Sequence, residues 1–359
     1  MRAILLNPGP VSLSEAVRKA AVSADLCHRE PEYFQLQARV REDLLEVYGC
    51  DREAWASVLL GGSGTTALEA MLTSLPGRDA RMLVLENGVY GERIARIAEI
   101  HGIDFDALQF GWTDAIDFAQ VEKALAGGGF SHLAAVHHET TTGRLNDVGR
   151  LAALCEQHGV DLLLDAVSSF GAEAIPFDSP ALTACAVTAN KCLHGIPGLC
   201  FVVARRAALA GAVQPPRSLY LHLPLWLEKQ DQDSTPFTPP VNALLALDKA
   251  LEELRAHGGW QARHARYMRL ADRVRRSLEA RGVHTLLPKD ESSCVLVAYR
   301  IPDGMTYASI HDGLKQWGFV IYAGQGSLAA ELFRISTMGD ITHYDMERLL
   351  AAIESVFAV

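Results

Sequence analysis

The chain has 359 residues, of which 49% are hydrophobic and 21% are charged, and its formal net charge is −10. This length exceeds that of one average domain, so we expect two lobes in one subunit, with enough apolar residues to build a core. The composition excludes a disordered or fibrous chain, and the acidic balance argues against a nucleic-acid-binding protein, because such proteins usually carry a basic surface.

The sequence predicts a cytoplasmic protein. We expect no membrane span, because no run of roughly 18 apolar residues is free of charges. The apolar run at the amino terminus is too short for a signal peptide and soon meets Pro8. The seven cysteines are scattered and form no C-x-x-C pair, as is typical of a chain that stays reduced.

Short apolar runs alternate with helical stretches between residues 57 and 204. Runs such as MLVLE lack strict polar–apolar alternation. This absence is typical of parallel strands that are buried on both faces. Alternating strands and helices predict an α/β layered domain. The predicted strands are 57–60, 81–86, 132–137, 161–165, 184–188 and 198–204, and the predicted helices are 65–75, 91–101 and 150–158.

The carboxyl-terminal third predicts a smaller α+β lobe, which follows a proline-rich, loop-like break at 214–240. Pro8-Gly9-Pro10 cannot belong to a central strand, so the first residues predict an arm. We therefore divide the chain into an arm (1–15), a large domain (16–240) and a small domain (241–359). In the small domain we predict helices at 242–257, 260–281, 307–317 and 344–357 and strands at 294–300, 319–322 and 332–336, and we interpret the charge run from Arg263 to Arg276 as a solvated helix face.

The first candidate functional motif is GGSGTT at 61–66, where a strand leads in and a helix leads out. Glycines let backbone N–H groups approach an anion, the helix amino terminus adds partial positive charge, and the hydroxyl groups donate hydrogen bonds. The motif therefore indicates a phosphate-binding loop. An ordinary strand-to-helix turn with an N-cap residue would have the same pattern.

The same loop also fits a dinucleotide-binding fingerprint. Gly62-x-Gly64-x-x-Ala67 is followed by Glu86 at the end of the next predicted strand. A nicotinamide (NAD)-dependent dehydrogenase is therefore the alternative from a different class of protein. That alternative gives no role to the lysine described next.

Two charged side chains follow later predicted strands. Asp165 ends a buried run, and an acid at the carboxyl end of a strand faces the crevice where α/β sheets bind ligands. Lys191 follows another apolar strand, and a desolvated lysine has a lowered pKa and becomes a nucleophile toward carbonyl groups. The less specific interpretations are a turn residue for Asp165 and a salt-bridged lysine for Lys191.

The three features together indicate pyridoxal 5'-phosphate as cofactor. This molecule requires a phosphate anchor, a carboxylate that keeps its pyridine nitrogen protonated, and a lysine that bonds to its aldehyde. The sequence offers Ser63-Gly64-Thr65, Asp165 and Lys191 for these roles.

With these motifs the chain resembles the class V, fold-type I aminotransferases, and among them the 2-aminoethylphosphonate–pyruvate transaminases. The resemblance covers nearly the whole chain. It implies a large α/β domain with a mostly parallel seven-stranded sheet, a smaller carboxyl-terminal α+β domain, and a homodimer with shared active sites. The matching stretches are LLNPGPV (5–11), VLLGGSGTTALEA (58–70), ENGVYGER (86–93), VHHETTTGRLN (136–146), DAVSSFGAEAIPFD (165–178), ANKCLHGIPGLCFVVAR (189–205), GFVIYAG (318–324) and LFRISTMGD (332–340).

The resemblance also implies roles for single residues. Lys191 would hold the cofactor aldehyde and move a proton, and Asp165 would pair with the pyridine nitrogen. Arg334 would bind a substrate carboxylate with its planar fork of donors. The other implied cofactor contacts are Ser63, Gly64 and Thr65 at the phosphate, Tyr90 and Val167 on the two ring faces, Thr140 at the ring hydroxyl, and Thr238 of the neighbouring subunit at the phosphate.

The reaction implied is transfer of the amino group of 2-aminoethylphosphonate to pyruvate, giving phosphonoacetaldehyde and alanine by a ping-pong mechanism. Two alternatives remain within the family. One is a serine or alanine aminotransferase that uses glyoxylate or pyruvate, and the other is a lyase that acts on a hydroxylated aminophosphonate.

Two local features bear on substrate and metal. The segment around Cys27-His28-Arg29-Glu30 departs from the family pattern, so that Arg29 or His28 either contacts a substrate phosphonate or pairs with Glu30 or Glu32. His137 and His138 invite a metal interpretation, but no third ligand follows at a suitable spacing, so we expect no metal site.

Overall fold

The computed structural model describes residues 3–358. Its strands, in chain order, are β1 (Ile4–Leu5), β2 (Trp55–Gly62), β3 (Arg81–Glu86), β4 (Asp104–Gln109), β5 (His132–Val136), β6 (His138–Glu139), β7 (Arg144–Leu145), β8 (Asp161–Asp165), β9 (Leu182–Thr188), β10 (Gly198–Arg205), β11 (Leu296–Arg300), β12 (Phe319–Val320), β13 (Tyr322–Ala323) and β14 (Leu332–Ser336).

Several helices begin at a side chain that caps the first turn. Asp117, Asp147 and Thr342, for example, each accept a hydrogen bond from a backbone N–H of the first turn that follows. The helices are α1 (Glu15–Ala20), α2 (Pro31–Glu46), α3 (Gly64–Ser74), α4 (Val89–Ile100), α5 (Phe118–Ala126), α6 (Val148–His158), α7 (Arg206–Ala210), α8 (Leu223–Asp231), α9 (Val241–Ala256), α10 (Gly259–Glu279), α11 (Tyr307–Gln316) and α12 (His343–Val356), with 3-10 turns at Lys289–Glu291 and Gly326–Leu328.

The large sheet has seven strands in the order β2-β10-β9-β8-β5-β3-β4. Only β10 runs opposite to its neighbours, and the pairs from β9 to β4 are all parallel. The predicted α/β class with a mostly parallel seven-stranded sheet is therefore confirmed. Because five neighbouring strands run the same way, their carboxyl ends meet at one edge of the sheet.

Both faces of this sheet are buried. Leu162 and Leu164 of β8 belong to one apolar cluster, and Leu163 between them belongs to a second cluster on the other face. Each face is covered by helices, which explains why the strands lack the polar–apolar alternation of a half-exposed sheet.

The small domain is built on the antiparallel sheet β11-β14-β13, whose apolar side chains pack with those of α10, α11 and α12. The arm joins this domain, because Ile4 of β1 pairs in parallel with Phe319 of β12. Helix α9 packs against α2 and contributes Leu247 and Leu251 to the core of the large sheet.

One buried carboxylate ties the two domains together. Glu173 accepts hydrogen bonds at Oε1 from Ser293 Oγ at 2.5 Å and from the backbone N–H of Cys294 at 2.8 Å. Its Oε2 lies 3.1 Å from Nδ1 of His264. Burial alone would raise the pKa of Glu173, but these donors outweigh burial and bring the pKa to about 2.

Several sequence predictions need correction. The break at 214–240 is not loop throughout, because α8 forms within it; Pro224 lies in the first turn of that helix, where the missing N–H has no cost. The charge run on α10 is not a solvated face throughout, because Arg263 and Arg275 are buried. The predictions also omitted helices α1, α2, α5 and α7 and the exposed edge strand β4. Within residues 3–358, no helix combines the length and the apolar character needed to span a bilayer.

Candidate active site

Three of the predicted site residues lie at the same edge of the large sheet. Ser63 follows β2, Asp165 ends β8, and Lys191 comes shortly after β9. The carboxyl ends of these strands point the same way, since β2 and β9 both run antiparallel to β10. The fold therefore brings together residues that are far apart in the sequence.

The GGSGTT loop has the geometry of an anion-binding helix end. Ser63 precedes α3, and its backbone N–H donates to Thr66 Oγ1 at 3.2 Å. A Cβ on Gly64 would lie 2.7 Å from Cγ1 of Val167, so glycine lets the loop approach the segment that follows Asp165. The first N–H groups of α3 have no acceptor within the helix and are available to an anion.

Asp165 is a buried acid with little protein support. Its carboxyl Oδ1 accepts one hydrogen bond, from the backbone N–H of Val167 at 2.9 Å. Burial raises its pKa to about 6, although that hydrogen bond and the charges of Arg93 and Lys191 act in the opposite direction. A protonated ring nitrogen would supply the cation that this carboxylate lacks.

Lys191 is half-buried, and desolvation of its amine lowers its pKa to about 8. Its Nζ donates to the backbone carbonyl of Pro8, so the arm lies directly over it. A Cβ on Gly9 would lie 2.6 Å from Cδ of Lys191, and Gly9 has a φ of +111°. Only glycine combines this backbone conformation with such a close approach.

Tyr90 is positioned by an acid that the sequence analysis missed. Tyr90 lies in the first turn of α4, and its backbone N–H donates to Glu139 Oε2 at 3.1 Å. The other oxygen of Glu139 accepts from the hydroxyl of Thr141 at 2.6 Å. Glu139 is buried, and burial raises its pKa. Its place just after the buried strand β5 was the available signal.

Arg334 is held by carbonyl groups rather than by acids. Its Nε donates to the carbonyl of Ala323 at 2.8 Å, and its Nη1 donates to the carbonyl of Thr140 at 2.7 Å and to Gln325 Oε1 at 2.9 Å. Burial lowers the pKa of Arg334, and its charge in turn contributes to the lowered pKa of Lys191. Among the described residues, nothing accepts from Nη2, so this edge of the guanidinium can donate to a substrate anion.

Two predicted residues are not brought to this cluster by any described contact. Arg29 is exposed in the turn before α2, and Thr238 is exposed in the segment before α9. Val167 lies against Gly64, as noted above, and Thr140 uses its carbonyl on Arg334. The roles expected for the side chains of all four residues stay predictions.

A buried network that was not predicted supports the Lys191 loop from α10. Arg263 Nη1 donates to the carbonyl of Cys192 at 2.5 Å. His194 Nε2 accepts from the backbone N–H of Gly339 at 3.0 Å and also bonds the hydroxyl of Tyr267. Arg263 and Tyr267 share one face of α10, and this spacing was the signal in the sequence.

The dehydrogenase alternative is wrong. A dinucleotide-binding unit needs its first two strands to be neighbours, so that the acid ending the second strand reaches the ribose. Here β2 and β3 are separated by four strands, β10, β9, β8 and β5. Glu86 instead accepts a hydrogen bond from Gln109 Nε2 at 2.9 Å.

The family described as aminotransferase class-V matches residues 16–349, and the chain belongs to this family. The 2-aminoethylphosphonate–pyruvate transaminase of Phocaeicola vulgatus is 36% identical, over 98% of both chains. The enzyme of the same name from Aeromonas hydrophila is 37% identical, over 98% of this chain and 94% of that one.

Solved structures agree on the fold. The aspartate aminotransferase of Thermus thermophilus superposes with a TM-score of 0.90 at 29% identity and covers 99% of both chains. The pyridoxamine–pyruvate aminotransferase of Mesorhizobium loti superposes with a TM-score of 0.91 at 27% identity, over 100% of this chain and 93% of that one. These two enzymes are named for different substrates, so the shared fold does not identify the substrate of this chain.

Family membership makes the chain a pyridoxal-phosphate-dependent aminotransferase, and the residues present fit that cofactor. The loop before α3 offers an anion site, and Asp165 offers a buried carboxylate that lacks a counter-ion. Lys191 offers an amine whose lowered pKa leaves an appreciable fraction neutral at physiological pH. These three features would serve the phosphate, the ring nitrogen and the aldehyde, respectively.

Proposed function

We propose that this enzyme transfers the amino group of 2-aminoethylphosphonate to pyruvate and releases phosphonoacetaldehyde and alanine. The observation that carries this proposal is the agreement of six relatives, 34–37% identical over 98% of the chain, which all bear the name of that reaction. A ping-pong order follows, because donor and acceptor exchange the amino group through one cofactor in one cavity.

The position of Arg334 supports this pair of substrates. Both 2-aminoethylphosphonate and pyruvate carry an oxyanion close to the carbon that gains or loses nitrogen. A guanidinium that is fixed by two backbone carbonyls and keeps one edge free can bind each oxyanion in turn. The charge of Arg334 contributes to the lowered pKa of Lys191, which is consistent with an anion binding on Arg334 beside the reacting amine.

We assign the chemical roles as follows. Lys191 Nζ would hold the cofactor through its aldehyde, and as a free amine it would take a proton from the substrate carbon that bears nitrogen and later return one. The bound cofactor supplies an electron sink for the pair released from the broken C–H bond. Asp165 would keep the ring nitrogen protonated, and Ser63, Gly64 and Thr65 would hold the phosphate. Tyr90 and Val167 would cover the two faces of the ring, and Thr140 would serve the ring hydroxyl.

We further propose that the enzyme is a homodimer with shared active sites. Thr238 is exposed and forms no hydrogen bond among the described residues, which suits a side chain that reaches the phosphate site of a second copy. Arg29, also exposed, would contact the phosphonate only if a second copy brings it to the cleft. We also propose that the enzyme acts in the cytoplasm.

The half-reaction tests the proposal directly. Purified yellow enzyme is mixed with 2-aminoethylphosphonate alone, and the absorbance of the bound cofactor is followed. We expect full conversion to the pyridoxamine form, and pyruvate should restore the original spectrum. 3-Aminopropanoate, which has a carboxylate in place of the phosphonate, and ethanolamine, which has no anion, are the matched control donors.

Other outcomes would identify an alternative. A spectrum that responds to serine or alanine but not to 2-aminoethylphosphonate would contradict the proposed donor and favour an amino-acid aminotransferase. Release of a carbonyl product from a hydroxylated aminophosphonate without pyruvate would indicate a lyase. Either result would leave the cofactor and the family assignment in place.

A further inference from the structure

Arg93 lies where several of the candidate cofactor-binding residues meet. Its Nη1 donates to Thr65 Oγ1 at 3.3 Å. Its guanidinium carbon lies 4.6 Å from the centroid of the Tyr90 ring, a cation–π distance. Arg93 is also near enough to Asp165 and Lys191 to lower the pKa of each. One side chain of α4 thus contacts the phosphate-binding loop and also acts electrostatically on the buried acid.

Arg93 has no counter-ion among residues 3–358, since no carboxylate there forms an ion pair with it. Arg96, on the next turn of the same helix, pairs with Glu99 at 2.5 Å and is exposed. Arg93 is half-buried and therefore partly desolvated, and the carboxylate of Asp165, although near enough to interact with its charge, forms no ion pair with it. This difference between two arginines of one helix indicates that a bound molecule supplies the anion for Arg93.

We propose that Arg93 binds the phosphate group of pyridoxal phosphate beside Thr65. This inference rests on the proposed phosphate-binding role of the loop Ser63-Gly64-Thr65. A helix amino terminus supplies only about half a positive charge, whereas a phosphate monoester carries about −1.5 to −2. A guanidinium supplies the missing charge and matches two phosphate oxygens with its forked donors.

The location of Arg93 favours the cofactor phosphate over the phosphonate of a substrate. The hydrogen bond to Thr65 directs Nη1 toward the start of α3, where the free backbone N–H groups lie. Arg334, by contrast, is held from the small-domain side by Ala323 and Gln325. Arg93 would therefore bind the cofactor phosphate and Arg334 the substrate phosphonate, at two separate places. Each guanidinium supplies local positive charge in a chain whose net charge is −10.

The test compares binding of pyridoxal phosphate and of pyridoxal to the apoenzyme. Both molecules can bond to Lys191 through the same aldehyde, so the ratio of their dissociation constants isolates the phosphate contribution. The constants are measured by quenching of tryptophan fluorescence for the wild type, Arg93→Gln, Arg93→Lys and the control Arg96→Gln. Inorganic phosphate is used as a competitor of pyridoxal phosphate in the same titrations.

We expect Arg93→Gln to weaken pyridoxal phosphate about 10- to 100-fold, the usual range for a lost charge-assisted hydrogen bond, while pyridoxal changes little. Arg93→Lys should recover part of the loss because it keeps the charge without the fork. Competition by inorganic phosphate should weaken in Arg93→Gln and stay normal in Arg96→Gln.

Three results would overturn the inference. Equal losses for pyridoxal phosphate and pyridoxal would mean that Arg93 supports Tyr90 or the ring rather than the phosphate. Unchanged binding of both would remove any role in cofactor affinity. Unchanged cofactor binding with a raised KM for 2-aminoethylphosphonate would assign Arg93 to the substrate. Because the titrations contain no amino donor, failure of the proposed donor would leave their result intact, and circular dichroism of both Arg93 variants separates lost binding from lost folding.

Discussion

Asp165 and Glu173 are two buried carboxylates on the same stretch of chain, and their surroundings differ. Glu173 accepts hydrogen bonds from Ser293 and Cys294 and pairs with His264, so its pKa falls to about 2. Asp165 accepts one backbone hydrogen bond, and its pKa rises to about 6. The fold supplies partners for the carboxylate at the domain junction and leaves the one at the sheet edge in need of a ligand.

The contrast distinguishes a carboxylate that holds the fold together from one that is placed to bind a ligand. Glu173, His264 and Cys294 bring possible metal-ligand atoms within 4.8 Å of one another, a grouping that the sequence did not suggest. The oxygens of Glu173 are already used by its protein partners, so the grouping is explained as a domain contact. At the sheet edge, by contrast, Asp165, Lys191 and Arg93 carry charges without ion pairs of their own among the described residues, as expected where a charged cofactor binds.

Substitution of Lys191 should produce the largest effect at the sheet edge. We expect Lys191→Ala to lower turnover by about 10⁴-fold or more, because both the covalent hold on the cofactor and the proton transfer depend on Nζ. Borohydride treatment followed by peptide mass spectrometry is the check: the cofactor mass should appear on Lys191 in the wild type and on no peptide of the variant. Retained turnover, with the label on another lysine, would contradict the assignment.

At the domain junction, Glu173→Gln should destabilise the protein. The pKa of about 2 lies below the ordinary 4.5 of the unfolded chain, so ionised Glu173 stabilises the fold above pH 4.5, and this contribution is lost as the pH falls toward 2. We expect a loss of about 3 kcal/mol at pH 7, measured by urea unfolding of the apoenzyme. The difference from the wild type should shrink below pH 4.5, and a difference that does not change with pH would mean that packing rather than charge is responsible.

At the sheet edge, replacing Asp165 by Asn should have the opposite effect on stability. The folded pKa of Asp165, about 6, lies above the ordinary value of 3.8, so its ionisation costs stability as the pH rises from about 4 to 6. Asp165→Asn keeps the shape without the charge and should stabilise the apoenzyme by about 3 kcal/mol above pH 6, with most of the gain gone near pH 4. Urea unfolding of both apoenzymes across this pH range tests the prediction. Destabilisation at pH 7 would show that the carboxylate has a counter-ion within the protein.

The position of the candidate cofactor-binding residues was largely predictable from sequence. Asp165 and Lys191 follow apolar strands that could be recognised locally, and parallel strands necessarily bring their carboxyl ends to one edge. The loop before α3 carried its own glycine and hydroxyl pattern. The dehydrogenase alternative could not be dismissed at that level, because strand order in the sheet is a long-range property that places β2 and β3 apart.

The substrate half was much less predictable. Arg334 was found through family resemblance, but the carbonyls of Thr140 and Ala323 that hold it come from distant segments and carry no signature of their own. Likewise Arg263 was read as solvated because charge runs usually are, and only the packing of α10 on the Lys191 loop shows that it is buried. Contacts between backbone carbonyls and long side chains depend on the final fold.

A conservative change of Arg334 tests whether those carbonyl contacts matter for substrate binding. The three N–H donors of lysine all start from one nitrogen, so they cannot occupy the separate positions of Nε, Nη1 and the free Nη2 in the planar guanidinium. We expect Arg334→Lys to raise KM for 2-aminoethylphosphonate and for pyruvate by about 10- to 100-fold, with a smaller change in kcat, because the lost contact serves binding before and during reaction alike. Arg300→Lys, an exposed arginine on the neighbouring strand β11, is the matched control.

The two substrates then distinguish how far Arg334 is shared. Equal increases in KM would mean that one guanidinium binds both oxyanions in succession, as the proposed ping-pong order requires of a single cavity. An increase for pyruvate alone would assign the phosphonate to another cation, and Arg29 would be the residue to change next. Unchanged KM for both would reduce Arg334 to a structural link between the small sheet and Thr140, since its three observed acceptors all belong to the protein.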